Sequence, residues 1–168
     1  GRPGRGRPTL LRSLVLGLRL SSPGVGIYVV VPAGSLHDLE RLPQVAAVVG
    51  TELLPRLLDE LAQDGPDETV GRRVFVVDGI DAVGEEDRRL AALVAGGMER
   101  GVHVVVTSLR WTFRPGLRDL LTGAVELRLT PSESVFRDAQ RTLPDHPGRG
   151  VSPDGKHLQV AYSDAPDV

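Results

Sequence analysis

The segment Arg73-Val74-Phe75-Val76-Val77, followed by Asp78, is the feature of the sequence that most constrains the fold. Its four consecutive apolar residues include three β-branched valines, which predicts a strand buried on both faces, as in the middle of a parallel sheet. Open α/β sheets hold their ligands at the carboxyl ends of their strands, and Asp78 stands at that end. The sequence therefore indicates a ligand site there, although an apolar run before Asp-Gly is also typical of a plain strand-to-turn junction.

The composition is that of one globular domain spanning residues 1–168. The chain is 40% hydrophobic and 25% charged, with a formal net charge of −2. The near-neutral charge argues against binding of nucleic acid or a membrane surface by the fold as a whole. The absence of cysteine excludes disulfides and thiolate metal sites. The four histidines are scattered without ligand spacing, so no metal site is predicted.

A glycine-rich stretch, residues 1–9, runs directly into a segment whose apolar residues repeat at helical spacing. A glycine loop that opens a helix aims free N–H groups at a phosphate. A phosphate loop of this kind follows a strand, and no strand pattern precedes this one, so we expect the chain to be a fragment that lacks that strand. The arginines Arg2, Arg5, Arg7 and Arg12 are compatible with a bound anion, with a neighbouring acid, or with a solvated arginine-rich loop.

Hydrophobic periodicity and turn residues predict the remaining elements. Strands are predicted at residues 27–31, 45–49, 103–107, 125–129 and 156–162, and helices at 51–62, 85–100, 115–121 and 133–140. In the helix at 85–100, Leu90, Leu93, Val94 and Met98 are predicted to face inward. Strands that alternate with helices predict an α/β fold with a mostly parallel sheet, here with an antiparallel edge at the C-terminal end.

Three features occur in the order of the Walker A, Walker B and sensor elements of P-loop NTPases. They are the glycine loop with its helix, the strand that ends in Asp78, and the strand that ends in Thr107-Ser108. Together with the residues at 10–14, 42–45, 77–79 and 107–111, they resemble the FtsK/SpoIIIE-type ATPase domains. Segments 117–119, 125–129 and 147–155 are further similar to the tandem ATPase domains of EccC, the motor of type VII (ESX) secretion, and most similar to a non-leading domain.

The resemblance implies a RecA-like P-loop NTPase fold with three layers, in a cytoplasmic domain of a membrane-associated secretion complex. It also implies a nucleotide site, in which Asp78 as the Walker B acid is the candidate catalytic residue. The cofactor-binding residues that it implies are Gly1, Gly4, Gly6, Arg7, Thr9, Asp78 and Thr107.

Three positions of this site depart from the family pattern. Arg7 stands at the phosphate-binding lysine, and its planar guanidinium would crowd the β- and γ-phosphates. Pro8 stands at the Mg²⁺-binding serine or threonine and lacks both the hydroxyl and the backbone N–H. Gly79 stands where active relatives carry a second acid that positions the attacking water. We therefore expect a degenerate ATPase-like module, structural or regulatory, with no cofactor; ATP and Mg²⁺ are expected only if the site still binds them.

The expected partners are adjacent ATPase domains of the same polypeptide, with a linker or a helical secretion substrate as further candidates. Nucleic acid is not expected, and the membrane is reached only through the parent protein. Arg110, Trp111 and Phe113 form the predicted interface, because arginine beside paired aromatics is typical of interface anchors. The aromatic pair is also compatible with core anchors of its loop. Two other functions remain open: an ATPase that is active only in the assembled motor, and a DNA-translocating relative of FtsK.

Overall fold

The computed structural model describes residues 1–32, 35–63, 71–84, 86–110, 112 and 114–162. Its central sheet consists of four parallel strands: β1 (Gly26–Val31), β2 (Val45–Gly50), β3 (Arg73–Val77) and β4 (Val102–Val106). The spatial order is β2-β1-β3-β4, which puts β3 in the interior of the sheet. All four strands lie within one residue of their predicted bounds, so the mostly parallel sheet is confirmed.

Helices pack on both faces of this sheet and beside the C-terminal strands. They are α1 (Arg7–Ser21), α2 (Leu54–Gln63), α3 (Asp87–Gly97), α4 (Pro115–Arg118) and α5 (Arg137–Thr142). Single 3₁₀ turns stand at His37–Arg41, Thr51–Leu53, Ile80–Ala82, Met98–Arg100 and Pro131–Glu133. No helix within the described ranges has the length and apolarity needed to cross a membrane.

The two faces of the sheet support two separate apolar clusters, because successive side chains of a strand point to opposite faces. Val74 and Val76 belong to the cluster that includes buried residues of α1. Phe75 and Val77 belong to the cluster that includes buried leucines of α2 and α3. The continuous apolar pattern of β3 therefore reflects burial on both faces, and the predicted three-layer α/β architecture is confirmed.

The position of a strand in the sheet accounts for its burial. All five residues of β3 are buried, since this strand pairs with β1 on one side and with β4 on the other. In the described part of the chain β4 pairs with β3 alone, and residues 104–106 are half-buried. Among the described residues, β4 is therefore an edge strand of this sheet, as β2 is at the other end.

The C-terminal strands form a second, antiparallel sheet. Its strands are β5 (Glu126–Leu127), β6 (Arg149–Val151) and β7 (His157–Gln159), in that spatial order. The predicted antiparallel strands are thus present but shorter than 125–129 and 156–162. The first is short because the Leu129 N–H donates to Gln140 Oε1 at 3.1 Å and the Thr130 N–H donates to Glu133 Oε2 at 3.3 Å. These side chains take backbone donors that a longer strand would use.

Two predictions about helices are wrong. The helical period predicts an inward-facing Met98, but this residue is 68% exposed, whereas Leu90 and Leu93 are buried as predicted. The α-helix ends at Gly97, which is buried and occupies the inward position instead of Met98. A Cβ at Gly97 would lie 2.8 Å from the Val102 carbonyl oxygen, so a side chain would not fit there. The helix predicted at 133–140 is replaced by the 3₁₀ turn Pro131–Glu133 and by α5, which starts only at residue 137.

Candidate functional site

The ends of β3 and β4 meet through the carboxylate of Asp78. This residue follows β3 directly, is 6% exposed, and donates its N–H to the Val30 oxygen at 2.8 Å. The Thr107 hydroxyl, just past β4, donates to Asp78 Oδ1 at 2.6 Å and accepts the Gly79 N–H at 2.8 Å. The structure therefore brings together the predicted Walker B and sensor residues, as expected for neighbouring parallel strands.

A second carboxylate, that of Asp81, holds the segment that follows β4. Its Oδ1 accepts the Ser108 hydroxyl at 3.0 Å, and its Oδ2 accepts the Leu109 N–H at 2.8 Å. No role for Asp81 is predicted from the sequence. The sequence feature that could have indicated a role is its position, three residues after Asp78 in the same turn beyond the strand.

The glycine loop starts beside the same strand end. The Gly1 nitrogen donates to the Ser108 carbonyl oxygen at 3.0 Å. Gly4 and Gly6 adopt positive φ values of 72° and 94°, which favour glycine because a side chain is disfavoured in the left-handed region. The loop is then followed by α1, whose Leu10 N–H donates to the Gly6 oxygen at 2.9 Å. The loop-helix arrangement predicted from the sequence is thus present.

The turn before β6 packs against this glycine loop. The Gly148 N–H donates to the Arg5 oxygen at 3.1 Å. A Cβ on Gly6 would lie 3.1 Å from the Gly148 nitrogen, closer than most real contacts of a Cβ allow. Segment 147–155 carries a specific part of the resemblance to the family, but nothing in its sequence predicts this contact with the loop. The pairing links residues more than 140 positions apart, so no local pattern could report it.

The first turn of α1 contains the two substituted positions and Thr9. Arg7 is the first helical residue, Pro8 the second, and half-buried Thr9 the third. The first residues of a helix normally present free N–H donors. Pro8 has no backbone N–H, so the first turn of α1 lacks one of these donors.

The Arg7 side chain lies on the side of the loop that faces β4. It lines what we name the β4 groove, an apolar channel along the free edge of β4 that is also lined by Leu14, Val105 and Leu127. Its Nη1 is buried and has no hydrogen-bond partner among the described residues. A buried guanidinium nitrogen without an acceptor is costly, so this donor marks a place where an acceptor is missing.

The amino group of Gly1 is also desolvated at this place. Burial, followed in weight by the nearby Arg7 guanidinium, lowers the pKa of the Gly1 amine from 8.0 to about 6. Glu126, Asp81 and Glu133 oppose this shift but do not cancel it. Burial therefore disfavours the charged form of this amine in the folded chain.

The other arginines of the loop region bind acids of the same chain. These ion pairs are partly exposed, so each contributes at most about 1 kcal/mol to stability. In the pair formed with α1, the Arg12 guanidinium lowers the pKa of the Asp38 carboxyl by hydrogen bonding to it. The pairs are Arg2 with Glu133 at 3.1 Å, Arg5 with Asp145 at 2.6 Å, and Arg12 with Asp38 at 2.8 and 2.9 Å.

The backbone at Gly79 favours glycine. Its φ is +77°, a conformation that side chains other than glycine adopt at a cost. Space is not the obstacle, because a Cβ would meet only Pro32 Cγ, at 3.6 Å. A second acid at this position would therefore fit sterically but would strain the turn after Asp78.

The predicted interface is described only in part. Arg110 is exposed, and its N–H donates to the Ser108 hydroxyl oxygen at 3.2 Å. Trp111 and Phe113 lie outside the described residues, so this interface stays a prediction. Within the described ranges no group of three or more His, Asp or Glu side chains is arranged to hold a metal ion.

Comparison with known proteins identifies relatives along the whole chain. The model of the FtsK/SpoIIIE family matches residues 1–166. The ESX-4 secretion system protein EccC4 of Mycobacterium tuberculosis is 32% identical over 207 aligned positions, which cover 100% of this chain and 17% of that protein. The alignment is longer than the 168 residues of this chain, so EccC4 carries residues in the matched span that this chain lacks.

Two solved structures of EccC from Thermomonospora curvata share the fold. One contains ATPases 2 and 3 in complex with a signal sequence peptide; it superposes with a TM-score of 0.81 at 28% identity, over 96% of this chain and 37% of that one. The other, the cytoplasmic domain of the type VII secretion ATPase EccC, gives the same score and identity over 24% of its length. The predicted P-loop NTPase fold and the resemblance to EccC ATPase domains are confirmed, and the chain spans less than a fifth of EccC4.

Proposed function

The chain belongs to the FtsK/SpoIIIE family, and we propose that it is a degenerate ATPase-like module of a type VII secretion motor protein, structural or regulatory, that no longer hydrolyses nucleotide. Its similarity to EccC4 and to the ATPase domains of T. curvata EccC supports the setting. Its similarity to the cytoplasmic domain of T. curvata EccC supports a cytoplasmic position for this module.

Pro8 is the observation that carries the proposal. It stands in the first turn of α1, at the mouth of the glycine loop, and offers neither a hydroxyl to Mg²⁺ nor an N–H to a phosphate. Contacts to metal and phosphate supply most of the catalysis in phosphoryl transfer. The residues present therefore do not fit Mg·ATP, and the proposed role of the module includes no catalytic step on it.

The surroundings of Pro8 support the same proposal. Arg7 stands at the phosphate-binding position, but its guanidinium lines the β4 groove and is therefore not positioned to bind a phosphate at the loop. Asp78 is kept in place by the Thr107 hydroxyl, which is already used as a donor to it. Gly79 offers no carboxylate, and its backbone conformation disfavours one.

A module without nucleotide chemistry acts through its surfaces, because a fold by itself carries no function. We infer that this module binds the adjacent ATPase domains of its own polypeptide through residues 110–114, where Arg110 is exposed. Trp111→Ala and Arg110→Ala should each weaken binding of a separately expressed neighbouring domain by about tenfold, or about 1.4 kcal/mol. Arg137→Ala, at another exposed arginine, is the control. Unchanged affinity in the first two variants excludes this surface.

Calorimetric titration with Mg·ATP and a phosphate-release assay on this chain test the proposed loss of activity. We expect no release above background and no saturable binding. Steady release that disappears in Asp78→Ala would overturn the proposal.

A repaired loop gives the matched comparison. The double variant Arg7→Lys, Pro8→Ser restores a compact cation, a hydroxyl and an N–H, and should bind Mg·ATP more tightly than the parent. The variant Arg7→Lys, Pro8→Ala restores the N–H without the hydroxyl and should gain less. If neither variant binds better than the parent, Pro8 is not the cause of the loss.

A further inference from the structure

Backbone hydrogen bonds join the turn after β3 to the segment after β4 only as far as Thr107. The Thr107 N–H donates to the Val77 oxygen at 2.9 Å, and the Thr107 oxygen accepts the Ile80 N–H at 2.8 Å. Within the described ranges, no backbone-to-backbone bond joins residues 108–110 to this turn. The position of these three residues relative to β3 therefore depends on side chains.

The carboxylate of Asp81 supplies the side-chain bonds. Its Oδ1 accepts the Ser108 hydroxyl at 3.0 Å, and its Oδ2 accepts the Leu109 N–H at 2.8 Å. A charged acceptor makes both bonds stronger than their neutral equivalents. The partners are 27 and 28 positions away in the sequence, so these bonds fix the segment against another element and do not merely close a local turn.

The Ser108 hydroxyl links Asp81 to Arg110. While this hydroxyl donates to the carboxylate, its oxygen accepts the Arg110 N–H at 3.2 Å. A hydroxyl that donates becomes a better acceptor, so the two bonds strengthen each other. Arg110 itself is exposed. Asp81 thus determines, through Ser108, where the backbone of an exposed arginine lies.

We propose that Asp81 is a positioning residue of the docking surface, which holds residues 108–110 in the conformation in which Arg110 binds the adjacent ATPase domain. This inference rests on the proposed function, which assigns that partner to residues 110–114. A loose segment must be ordered when the partner binds, and the ordering weakens association. A segment that Asp81 already holds avoids this cost. These bonds require no nucleotide, so they suit a module without nucleotide chemistry.

The exposure of Asp81 separates a positioning role from a role in stability. When an exposed acceptor is removed, water can bind the donors that it leaves, so no buried polar group remains unsatisfied. Ser108 and Leu109 are only half-buried. The loss of Asp81 should therefore release residues 108–110 locally and leave the sheet intact.

Hydrogen exchange on the chain alone tests the local effect. Asp81→Ala should speed exchange of the Leu109 amide by at least about tenfold, since this amide loses a charged acceptor. The Thr107 amide, which donates to the Val77 oxygen, should keep its rate. Asp138→Ala removes the same charge from an exposed ion pair within α5 and should change neither amide. An unchanged rate at Leu109 overturns the proposal.

A double-mutant cycle tests the effect on docking. Asp81→Ala should weaken binding of a separately expressed neighbouring domain by about fivefold, and in the Arg110→Ala background it should have little further effect, because the residue that it positions is truncated. Asp81→Asn keeps the shape and one acceptor oxygen, so its affinity should lie between those of Asp81→Ala and the parent. Equal losses from Asp81→Ala in both backgrounds overturn the proposal, since Asp81 would then contact the partner directly.

The same measurements distinguish a failure of this inference from a failure of the proposed function. If Arg110→Ala weakens binding and Asp81→Ala does not, the docking surface stands and the positioning role of Asp81 is excluded. If neither variant weakens binding, the docking surface at residues 110–114 is excluded and this inference falls with it.

Discussion

Thr107 Oγ1 lies 2.6 Å from Asp78 Oδ1 and 2.8 Å from the Gly79 nitrogen, so one hydroxyl satisfies a buried acid and a backbone donor at once. The bond also joins β3 and β4 just beyond Val77 and Val106, the last paired residues of the ladder between these strands. A residue at the sensor position of an ATPase family thus has a structural role that does not require nucleotide.

Thr107→Val removes this hydroxyl with almost no change of shape. The Asp78 carboxylate and the Gly79 N–H both lose a partner, and an unsatisfied buried polar group costs about 1–3 kcal/mol. We expect the free energy of unfolding to fall by about 2 kcal/mol in urea denaturation.

Thr107→Ser is the matched control, since it keeps the hydroxyl and loses only a methyl group. It should cost less than about 1 kcal/mol. If the valine variant is as stable as the serine variant, the bond to Asp78 contributes nothing measurable.

Gly79→Glu restores an acid at the position of the second Walker B carboxylate. Because φ is +77° at this residue, we expect the substitution to cost about 1–2 kcal/mol of stability. Gly79→Ala should cost a similar amount, since the strain arises in the backbone and not in the side chain. Denaturation curves of both variants measure it.

Gly84→Ala provides the comparison for this prediction. A Cβ there meets nothing within 4 Å, and its φ is not positive. It should change stability by less than about 0.5 kcal/mol. Equal effects at Gly79 and Gly84 would contradict the argument from strain.

The parts of the fold that follow from local pattern could be predicted. The apolar run ending in Asp78 predicted the central strand, because a short valine-rich run followed by a turn is typical of a strand buried on both faces. The pairing of Asp78 with Thr107 followed from the rule that neighbouring parallel strands end at the same edge.

The parts that depend on distant contacts could not. Met98 fits the helical period, but the close approach of Gly97 to β4 ends the helix first. The contact of Gly6 with Gly148 is invisible in the sequence, because each glycine alone indicates only a turn. The hydrogen bonds of Asp81 could not be predicted, because its partners follow a strand end more than 25 residues away in the sequence.

Gly6→Ala and Gly4→Ala separate backbone strain from packing in the glycine loop. Both residues have positive φ, but a Cβ on Gly4 meets nothing within 4 Å, whereas one on Gly6 meets Gly148 backbone atoms at 3.1 and 3.3 Å. Backbone strain should lower the free energy of unfolding of both variants by about 1–2 kcal/mol. Gly6→Ala should lose about 1 kcal/mol or more in addition, because the loop must move away from the turn before β6. Equal unfolding free energies for the two variants would mean that Gly148 yields without cost.

Acetylation of the Gly1 amine should change how stability depends on pH. The folded state lowers the pKa of this amine from 8.0 to about 6, so between these values the unfolded chain binds more protons than the folded one. Stability from this group is therefore fully present above pH 8.0 and is lost as the pH falls through about 6. An acetyl group removes the titrating charge but keeps the N–H that donates to the Ser108 oxygen.

The acetylated and free chains should thus unfold with equal free energies above pH 8.0, and the acetylated chain should be the more stable below about 6. Urea denaturation of both forms at pH 5, 7 and 9 measures the difference, in which the histidines and carboxylates common to both forms cancel. The sign is fixed by burial and by the neighbouring Arg7 guanidinium, which both disfavour the charged amine against the opposing acids. A difference that is constant across this range would show that the Gly1 amine is fully hydrated in the folded chain.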